Sequence, residues 1–262
     1  MRFDIITLFP ELFAAFLTSG VTRRAYDSGV VNIKLWNLRG FADGKYRRVD
    51  DRPFGGGPGM VMTAEPLSRC LEAIQAEHLS AGLSPVPVVL FSPVGQALNQ
   101  GEVLSWSASA GAILLCGRYE GLDQRFVDQH VTHQISLGDF VLSGGEIAAM
   151  ALLDAVARLQ PGVLNDEGSH RFDSFNLALD GLLDCPHYTR PEVWADIAVP
   201  AVLMSGNHAQ IKRWRREHSL LLTSSRRPDL LEHARREGKL SSADEACLQG
   251  LPANSSSCHE LL

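Results

Sequence analysis

The stretch Ile135-Ser-Leu-Gly-Asp-Phe-Val-Leu-Ser-Gly-Gly-Glu146 is the most informative in the chain, because a short apolar segment breaks into two glycine-bearing turns and then opens a helix that begins with an acid. Glycines Gly138, Gly144 and Gly145 are predicted to let the main chain take positive φ and approach a small molecule closely. Between them, Val141–Leu142 can line an apolar wall. The stretch therefore predicts a ligand loop whose environment would suit an adenine ring.

Two further loops follow apolar runs in the same way. Ser92–Gly95 follows Val86–Phe91, and Cys116–Gly121 follows Ala112–Cys116. Glycines at strand ends are common, so on residues alone these loops could equally be tight turns without a ligand. An aromatic and an acid between glycines, as in Tyr119-Glu120, are unusual for a plain turn. The combination favours one composite binding site.

The spacing of apolar residues predicts an α/β fold. Phe3–Phe9, Val86–Phe91 and Ala112–Cys116 are short apolar runs typical of buried parallel strands. Ala64–His78 and Ile147–Leu159 carry apolar residues at helical spacing. Alternating strands and helices, with loops at the strand ends, indicate an open parallel sheet.

Common phosphate-binding loops are missing from this pattern. The first strand ends in Pro10-Glu11 instead of a glycine-rich turn, so the dinucleotide fingerprint is missing. The glycine run Gly55–Gly59 lacks the lysine and the following helix of a phosphate loop, and it is predicted to be a mobile loop.

The pattern changes after residue 162. Residues 165–171 are polar without an apolar period, which is typical of an interdomain linker. A mostly helical unit is predicted next, with helices at His208–Leu222 and Asp229–Glu237, followed by a disordered serine-containing tail. The predicted boundaries are 1–162 for the sheet domain, 163–175 for the linker, 176–248 for the helical domain and 249–262 for the tail.

The composition is that of an ordinary globular protein. Of 262 residues, 45% are hydrophobic and 21% charged, and no apolar run is long enough to span a bilayer. The start of the chain carries an acid at Asp4, where a signal peptide needs apolar residues, so a cytoplasmic location without membrane attachment is predicted. Five cysteines without a close pair predict reduced, mostly structural thiols.

Basic residues are concentrated in two places. Arg47-Arg48 and Arg52 lie beside the glycine run, and Lys212–Arg216 has four cations around one tryptophan. Residues 212–239 hold nine Lys or Arg against four acids, a surplus of five in a chain whose net charge is −6. A solvated helix face is the plain interpretation of the second cluster. The charge contrast favours a polyanion such as RNA.

Single polar residues allow two interpretations each. Arg158 follows Asp154 by four residues, so it could form an ordinary helix-surface ion pair. Asp173 could cap a helix, and without other information that role is favoured. His187 and Tyr188 could belong to a packed turn or to a docking surface.

In five motifs spread along the chain, the sequence resembles the bacterial tRNA (guanine-N1)-methyltransferases of the SPOUT class, over about residues 1–245. Val94 and Tyr46 depart from the family, which usually has a polar residue and a histidine there. The matching motifs, in order, are Phe3–Pro10, Val49–Met60, Gly117–Gly121, Ile135–Glu146 and Gly181–Pro191.

The resemblance implies a fold and an assembly. The α/β domain would contain a deep trefoil knot, which patterning alone does not indicate because knots are so rare. It also implies a homodimer with the active site at the subunit interface, S-adenosylmethionine bent in the knot loops, and tRNA bound across both subunits. The implied reaction methylates N1 of guanosine 37, next to the anticodon. Magnesium dependence is associated with the family, although the sequence identifies no metal cage.

The resemblance also implies which positions of this chain form the site. The resemblance implies Asp173 as the base and Arg158 as its cationic partner. The predicted RNA-binding residues, in and beside the two basic clusters, are Arg47, Arg48, Asp50, Arg52, Lys212, Arg213, Arg215 and Arg216. The implied cofactor-binding residues are Pro93, Gly117, Tyr119, Glu120, Gly121, Leu137, Gly138, Asp139, Phe140, Val141, Leu142, Gly144 and Gly145.

The implied mechanism follows from guanine chemistry. N1 carries a proton, so methylation needs a base, and loss of that proton moves negative charge onto O6. Asp173 would take the proton, and Arg158 would stabilise O6. The guanine must leave the anticodon stack, so ordering of residues 165–175 could be a gate. The competing hypotheses are a related knotted methyltransferase with another target nucleotide and a non-enzymatic RNA-binding protein.

Overall fold

The computed structural model describes residues 1–165 and 169–250 of the chain. The chain forms two compact units, Met1–Glu167 and Gly168–Leu262. The division falls inside the segment 163–175 that the sequence predicts as a linker. Of that segment, residues 166–168 lie outside the described part, and Ser169–Phe172 form a 3-10 turn.

The described residues contain the following helices and strands. The helices are α1 (Phe13–Thr18), α2 (Arg23–Asp27), α3 (Ala64–Ser80), α4 (Gln100–Ser107), α5 (Gln124–His130), α6 (Glu146–Ala157), α7 (Ala201–Met204), α8 (His208–Arg226), α9 (Pro228–Arg236) and α10 (Ser242–Gln249). The strands are β1 (Arg2–Thr7), β2 (Asn32–Asn37), β3 (Asp50–Asp51), β4 (Val61–Met62), β5 (Val88–Ala97), β6 (Gly111–Leu115), β7 (His133–Ser136), β8 (Val193–Trp194) and β9 (Ile197–Ala198).

A five-stranded parallel sheet forms the centre of the first unit, which confirms the predicted α/β fold class. Its order is β2-β1-β6-β5-β7, and every neighbouring pair is parallel. All five residues of β6 are buried, as expected for a strand covered on both faces. The trefoil knot stays a prediction from the resemblance.

Helices cover both faces of this sheet because its strands alternate their side chains between two apolar cores. Phe3 and Ile5 pack in one core with α6 residues such as Leu152. Ile6 packs in the other core with α3 residues such as Leu71. None of the helices in the described residues has both the length and the apolar character needed to cross a bilayer.

Strand β5 departs from the sequence prediction, which ended it at Phe91. It continues to Ala97 with an irregularity, because Phe91 and Gln96 both align with Ile135 of β7. A Cβ at Gly95 would lie only 2.5 Å from the main chain of β7. The predicted loop Ser92–Gly95 is therefore a bulge within the strand, and a glycine is needed where the bulge returns to the sheet.

The second unit has a small core of its own. Leu182, Leu220, Leu231 and Ala234 are buried together there. Helix α8 continues four residues beyond its predicted end at Leu222, and α10 is an additional helix whose last residue, Gln249, belonged to the predicted tail. Residues 251–262, the rest of that tail, lie outside the described part.

The described cysteines are free thiols, as expected for reduced cysteines. These are Cys70, Cys116, Cys185 and Cys247, while Cys258 lies outside the described residues. Burial raises the pKa of the Cys70 thiol to about 12 and that of the Cys185 thiol to about 11. Both thiols are protonated at neutral pH, so they are poor nucleophiles.

Candidate cofactor site and nucleic-acid surface

Three loops enclose a cavity of about 500 Å³ in the first unit. It lies where the β5 bulge, the segment after β6 and the segment after β7 meet. Its volume is in the range of small-molecule and cofactor pockets. Of the predicted cofactor residues, only Asp139 does not line it. The lining includes Pro93, Gly117, Tyr119, Glu120, Gly121, Leu137, Gly138, Phe140, Val141, Leu142, Gly144 and Gly145.

The three glycines of the loop after β7 have different roles, which corrects the expectation of positive φ at each. Gly138 has φ +147°, and a Cβ there would lie 3.0 Å from the Phe140 ring. Gly145 has an ordinary φ of −78°, but its Cβ would lie 2.8 Å from Cys116 Cα. Gly144 also lacks positive φ, and a Cβ there would overlap the Arg118 guanidinium. Close packing explains the last two glycines.

The loop after β6 is held by the glycine-rich segment that precedes β4. The Glu120 amide donates to the Met60 carbonyl at 2.9 Å, and Tyr119 has φ +60°. The Glu120 side chain lies against Gly59, where an added Cβ would be 2.6 Å from its Cγ. The segment that carries Arg47, Arg48 and Arg52 is thereby connected to the wall of the cavity.

Arg118 lines the cavity and pairs with Glu146, although neither residue was predicted from the sequence to have a functional role of its own. The Arg118 guanidinium lies over the Phe9 ring, with its Cζ 4.6 Å from the centroid, and its Nη2 is 2.9 Å from Glu146 Oε2. Glu146 is fully buried. An arginine in one predicted loop and an acid at the end of another were the available signal, but their pairing was not evident from either motif.

The two predicted catalytic residues lie in different units. Arg158 is half-buried and follows the last residue of α6, and its amide donates to the Asp154 carbonyl at 3.1 Å. The Asp154 carboxylate accepts a hydrogen bond of 3.1 Å from Thr22 Oγ1. Asp173 is also half-buried and directly follows the 3-10 turn Ser169–Phe172. Their catalytic roles stay predictions.

The first basic cluster lies on an exposed, glycine-rich segment. Arg47, Arg48 and Arg52 are exposed, and Arg47 has φ +43°. Asp50 is half-buried in the short strand β3. The Phe54 side chain is 100% exposed in the loop that follows. Exposed cations with an exposed ring can contact a nucleic acid through both phosphate and base.

The cations of the second basic cluster, Lys212–Arg216, differ in whether they form ion pairs. Arg213 contacts Glu217 at 2.8 Å, and Arg216 bridges Asp180 at 2.9 Å and Asp244 at 2.8 Å. The hydrogen bonds from Arg216 lower the pKa of Asp244 to about 2. Arg216 therefore has a structural role in the second unit. Lys212 and Arg215 are exposed, and neither makes an ion pair within residues 1–165 and 169–250.

Aromatic rings lie beside these cations. Trp214 stacks on His218 with 3.8 Å between ring centroids, and Tyr188 approaches the same tryptophan at 6.1 Å. Tyr188 is 38% exposed. Both proposed roles of Tyr188, packing and docking, are consistent with this position.

Among the described residues, one group of side chains could hold a metal ion. Atoms of Asp184, Cys185 and His187 lie within 4.8 Å of one another. A thiol and an imidazole are poor ligands for magnesium, which prefers oxygen. His187 Nε2 is already 2.8 Å from the Asp184 carboxylate. The described residues thus do not fit a magnesium site built from three or more protein side chains.

The parallel sheet with a cavity built from its strand-end loops is the architecture of a small-molecule-binding α/β enzyme. Comparison with known proteins identifies the family. A family model described as tRNA (Guanine-1)-methyltransferase TrmD matches residues 1–233. The chain belongs to this family, as the resemblance predicted.

Relatives are similar over almost the whole chain. A protein named tRNA (guanine-N(1)-)-methyltransferase from Polaromonas sp. is 70% identical, with 97% of this chain and 98% of the relative covered. A protein of the same name from Paracidovorax citrulli is 68% identical, with 96% and 98% covered. One from Janthinobacterium sp. is 53% identical, with 96% and 100% covered.

Proposed function

We propose that this protein transfers a methyl group from S-adenosylmethionine to N1 of guanosine 37 in tRNA. Family membership supports a tRNA substrate and guanine N1 as the acceptor. The observation that carries the choice of cofactor is the cavity of about 500 Å³ formed by the three strand-end loops.

The residues around this cavity fit the cofactor's chemistry. Val141 and Leu142 provide an apolar wall for adenine, while Gly138, with φ +147°, allows the main-chain conformation of the loop that lines the cavity. When bound, S-adenosylmethionine supplies an electrophilic methyl group on a sulfonium. Tyr119 and Glu120, on the loop after β6, complete the wall.

The side chains outside the cavity provide the acid–base chemistry. Asp173 accepts the N1 proton of guanine, because a neutral N1–H is a poor nucleophile. Arg158 donates to O6, where negative charge appears as the proton leaves. The proposed gate for the extruded guanine is the segment 165–175, of which residues 166–168 lie outside the described part.

The proposed assembly is a homodimer of knotted domains with the active site at the subunit interface. The sheet domain binds the cofactor, and the helical domain binds tRNA. The location is the cytoplasm, together with the substrate. The resemblance of the motifs to the SPOUT class supports the knot and the dimer.

The tRNA surface is proposed to use Lys212 and Arg215 more than Arg216. The double variant Lys212→Gln/Arg215→Gln should weaken tRNA binding and reduce the slope of log K against log salt, by roughly one unit for each phosphate that is no longer neutralised. Binding titrations between low and moderate salt would measure this.

A matched control is Arg227→Gln/Arg235→Gln. It removes the same charge from the second unit, but at arginines already paired with Asp229 and Glu245. This control should change the slope little. Equal slopes for wild type and the Lys212/Arg215 variant would assign these cations to a solvated helix face.

The experiment that tests the function uses tRNA transcripts with guanosine or another nucleotide at position 37. Labelled methyl groups from S-adenosylmethionine should enter only the first transcript, and nucleoside analysis should identify N1-methylguanosine. Equal labelling of both transcripts would indicate another target nucleotide. Binding of tRNA without labelling would favour the non-enzymatic hypothesis.

A further inference from the structure

We propose that Glu146 is a positioning residue that holds the cofactor loop in its binding conformation through Arg118. The inference rests on the proposed use of S-adenosylmethionine. It concerns the segment Ser143–Gly145, which lines the cavity, whereas Glu146 itself is not part of the lining.

Glu146 is fixed from two sides. Glu146 is the first residue of α6, so the positive end of the helix dipole stabilises its carboxylate. Thr7 Oγ1, at the end of β1, donates to Glu146 Oε1 at 2.8 Å. Arg118 Nη2 lies 2.9 Å from the other carboxylate oxygen. A buried carboxylate requires such partners, because an unpaired buried charge is costly.

Arg118 links Glu146 to the cofactor loop Ser143–Gly145. Its Nη1 donates to the Ser143 carbonyl at 3.1 Å and to Ser143 Oγ at 3.3 Å. The guanidinium fills the space that a side chain at Gly144 would need. On the other side, Gly145 packs against the Cys116 main chain, and its amide donates to the Gly117 carbonyl at 2.9 Å. The loop is thus clamped between Arg118 and the end of β6.

The geometry of the Arg118–Glu146 pair explains why the position of the loop Ser143–Gly145 depends on the charge of Glu146. Glu146 Oε2 and Arg118 Nε are buried without a directed hydrogen bond, although the ion-pair distance is short. The attraction is therefore mainly Coulombic, and it needs a full charge on each partner. A neutral glutamine would leave the guanidinium free to turn towards solvent, and Ser143 would lose its donor.

The test is calorimetric titration of S-adenosylmethionine into the full chain, without tRNA. Glu146→Gln keeps the size and the acceptor for Thr7 but removes the charge, and Arg118→Lys keeps a charge but removes the fork. Each variant should weaken binding roughly ten-fold, about the effect of losing the charge-assisted hydrogen bond from Arg118 to the Ser143 carbonyl. The double variant should be little weaker than either single one, because both remove the same interaction.

The Arg2–Asp4 pair provides a matched control. It joins a fully buried acid of β1 to an arginine at 2.8 Å, and neither residue lines the cavity. Arg2→Lys should lower Tm without changing the cofactor affinity of the folded protein. The Tm and the cofactor affinity of the Glu146 and Arg118 variants are measured beside this control. If their affinity falls only as far as their loss of folded protein explains, their role is merely structural and the inference is wrong.

Two outcomes separate this inference from the proposed function. A wild-type chain that does not bind S-adenosylmethionine would overturn the proposed function. A wild-type chain that binds it, together with folded Glu146→Gln and Arg118→Lys variants of unchanged affinity, would overturn the positioning role alone.

Discussion

Replacing Asp173 by Asn is expected to slow methyl transfer by about 10²–10⁴-fold, the usual contribution of a general base. Asparagine keeps the shape of the side chain and one acceptor oxygen, but it cannot take the N1 proton. The amide oxygen can still accept a hydrogen bond; the helix cap that the sequence allowed is not formed, because the N-cap of the next 3-10 turn is Asn176. Binding of tRNA and cofactor should therefore survive, and the loss should appear in the chemical step.

Single-turnover methylation with saturating tRNA and cofactor separates these effects. The control is Asp196→Asn, the same chemical change in the turn between β8 and β9, where the side chain is exposed and φ is +63°. Asparagine tolerates this backbone conformation, so the control should react at the wild-type rate. If Asp173→Asn also does so, the base assignment is wrong.

The sheet could be predicted from sequence because its signals are local. Ala112–Cys116 is a continuous apolar run, and β6 occupies almost the same residues, Gly111–Leu115. The start of α6 at Glu146 follows from the glycines before it. Loops at strand ends could likewise be predicted to meet, since the ends of neighbouring parallel strands lie at one edge of the sheet.

Long-range pairing could not be predicted in the same way. Arg216 was interpreted as an RNA-binding cation because its neighbours in sequence are basic. In the structure it contacts Asp180 and Asp244, which are distant in the chain. The Arg118–Glu146 pair was missed for the same reason. A sequence shows which residues carry charge, but the partner of each charge depends on the tertiary fold.

The β5 bulge illustrates a different limit. Ser92-Pro93 ends the apolar run, and a proline after a serine normally indicates a turn. The strand nevertheless resumes, because Gly95 allows the chain to return against the main chain of β7. A glycine after a proline is compatible with both outcomes. Only the neighbouring strand decides between them.

Replacing Arg158 by Gln is expected to slow methyl transfer by about 10²–10³-fold, the usual cost of removing one donor to a developing oxyanion. Charge reaches O6 mainly as the N1 proton leaves, so the guanidinium interacts more strongly with the transition state than with the bound substrate. Arg158→Lys keeps the charge but loses the planar fork, and it should recover only part of the rate.

The measurement is again the single-turnover rate with saturating substrates, compared with tRNA affinity in the same variants. Arg23→Gln is a suitable control, because this exposed arginine of the same unit pairs with Asp27 on the surface of α2. It should retain the wild-type rate. A fall in tRNA affinity with an unchanged single-turnover rate for Arg158→Gln would mean that Arg158 binds RNA and does not stabilise O6. The Tm of Arg158→Gln, measured beside the wild type, checks that the fold of the first unit is intact in either case.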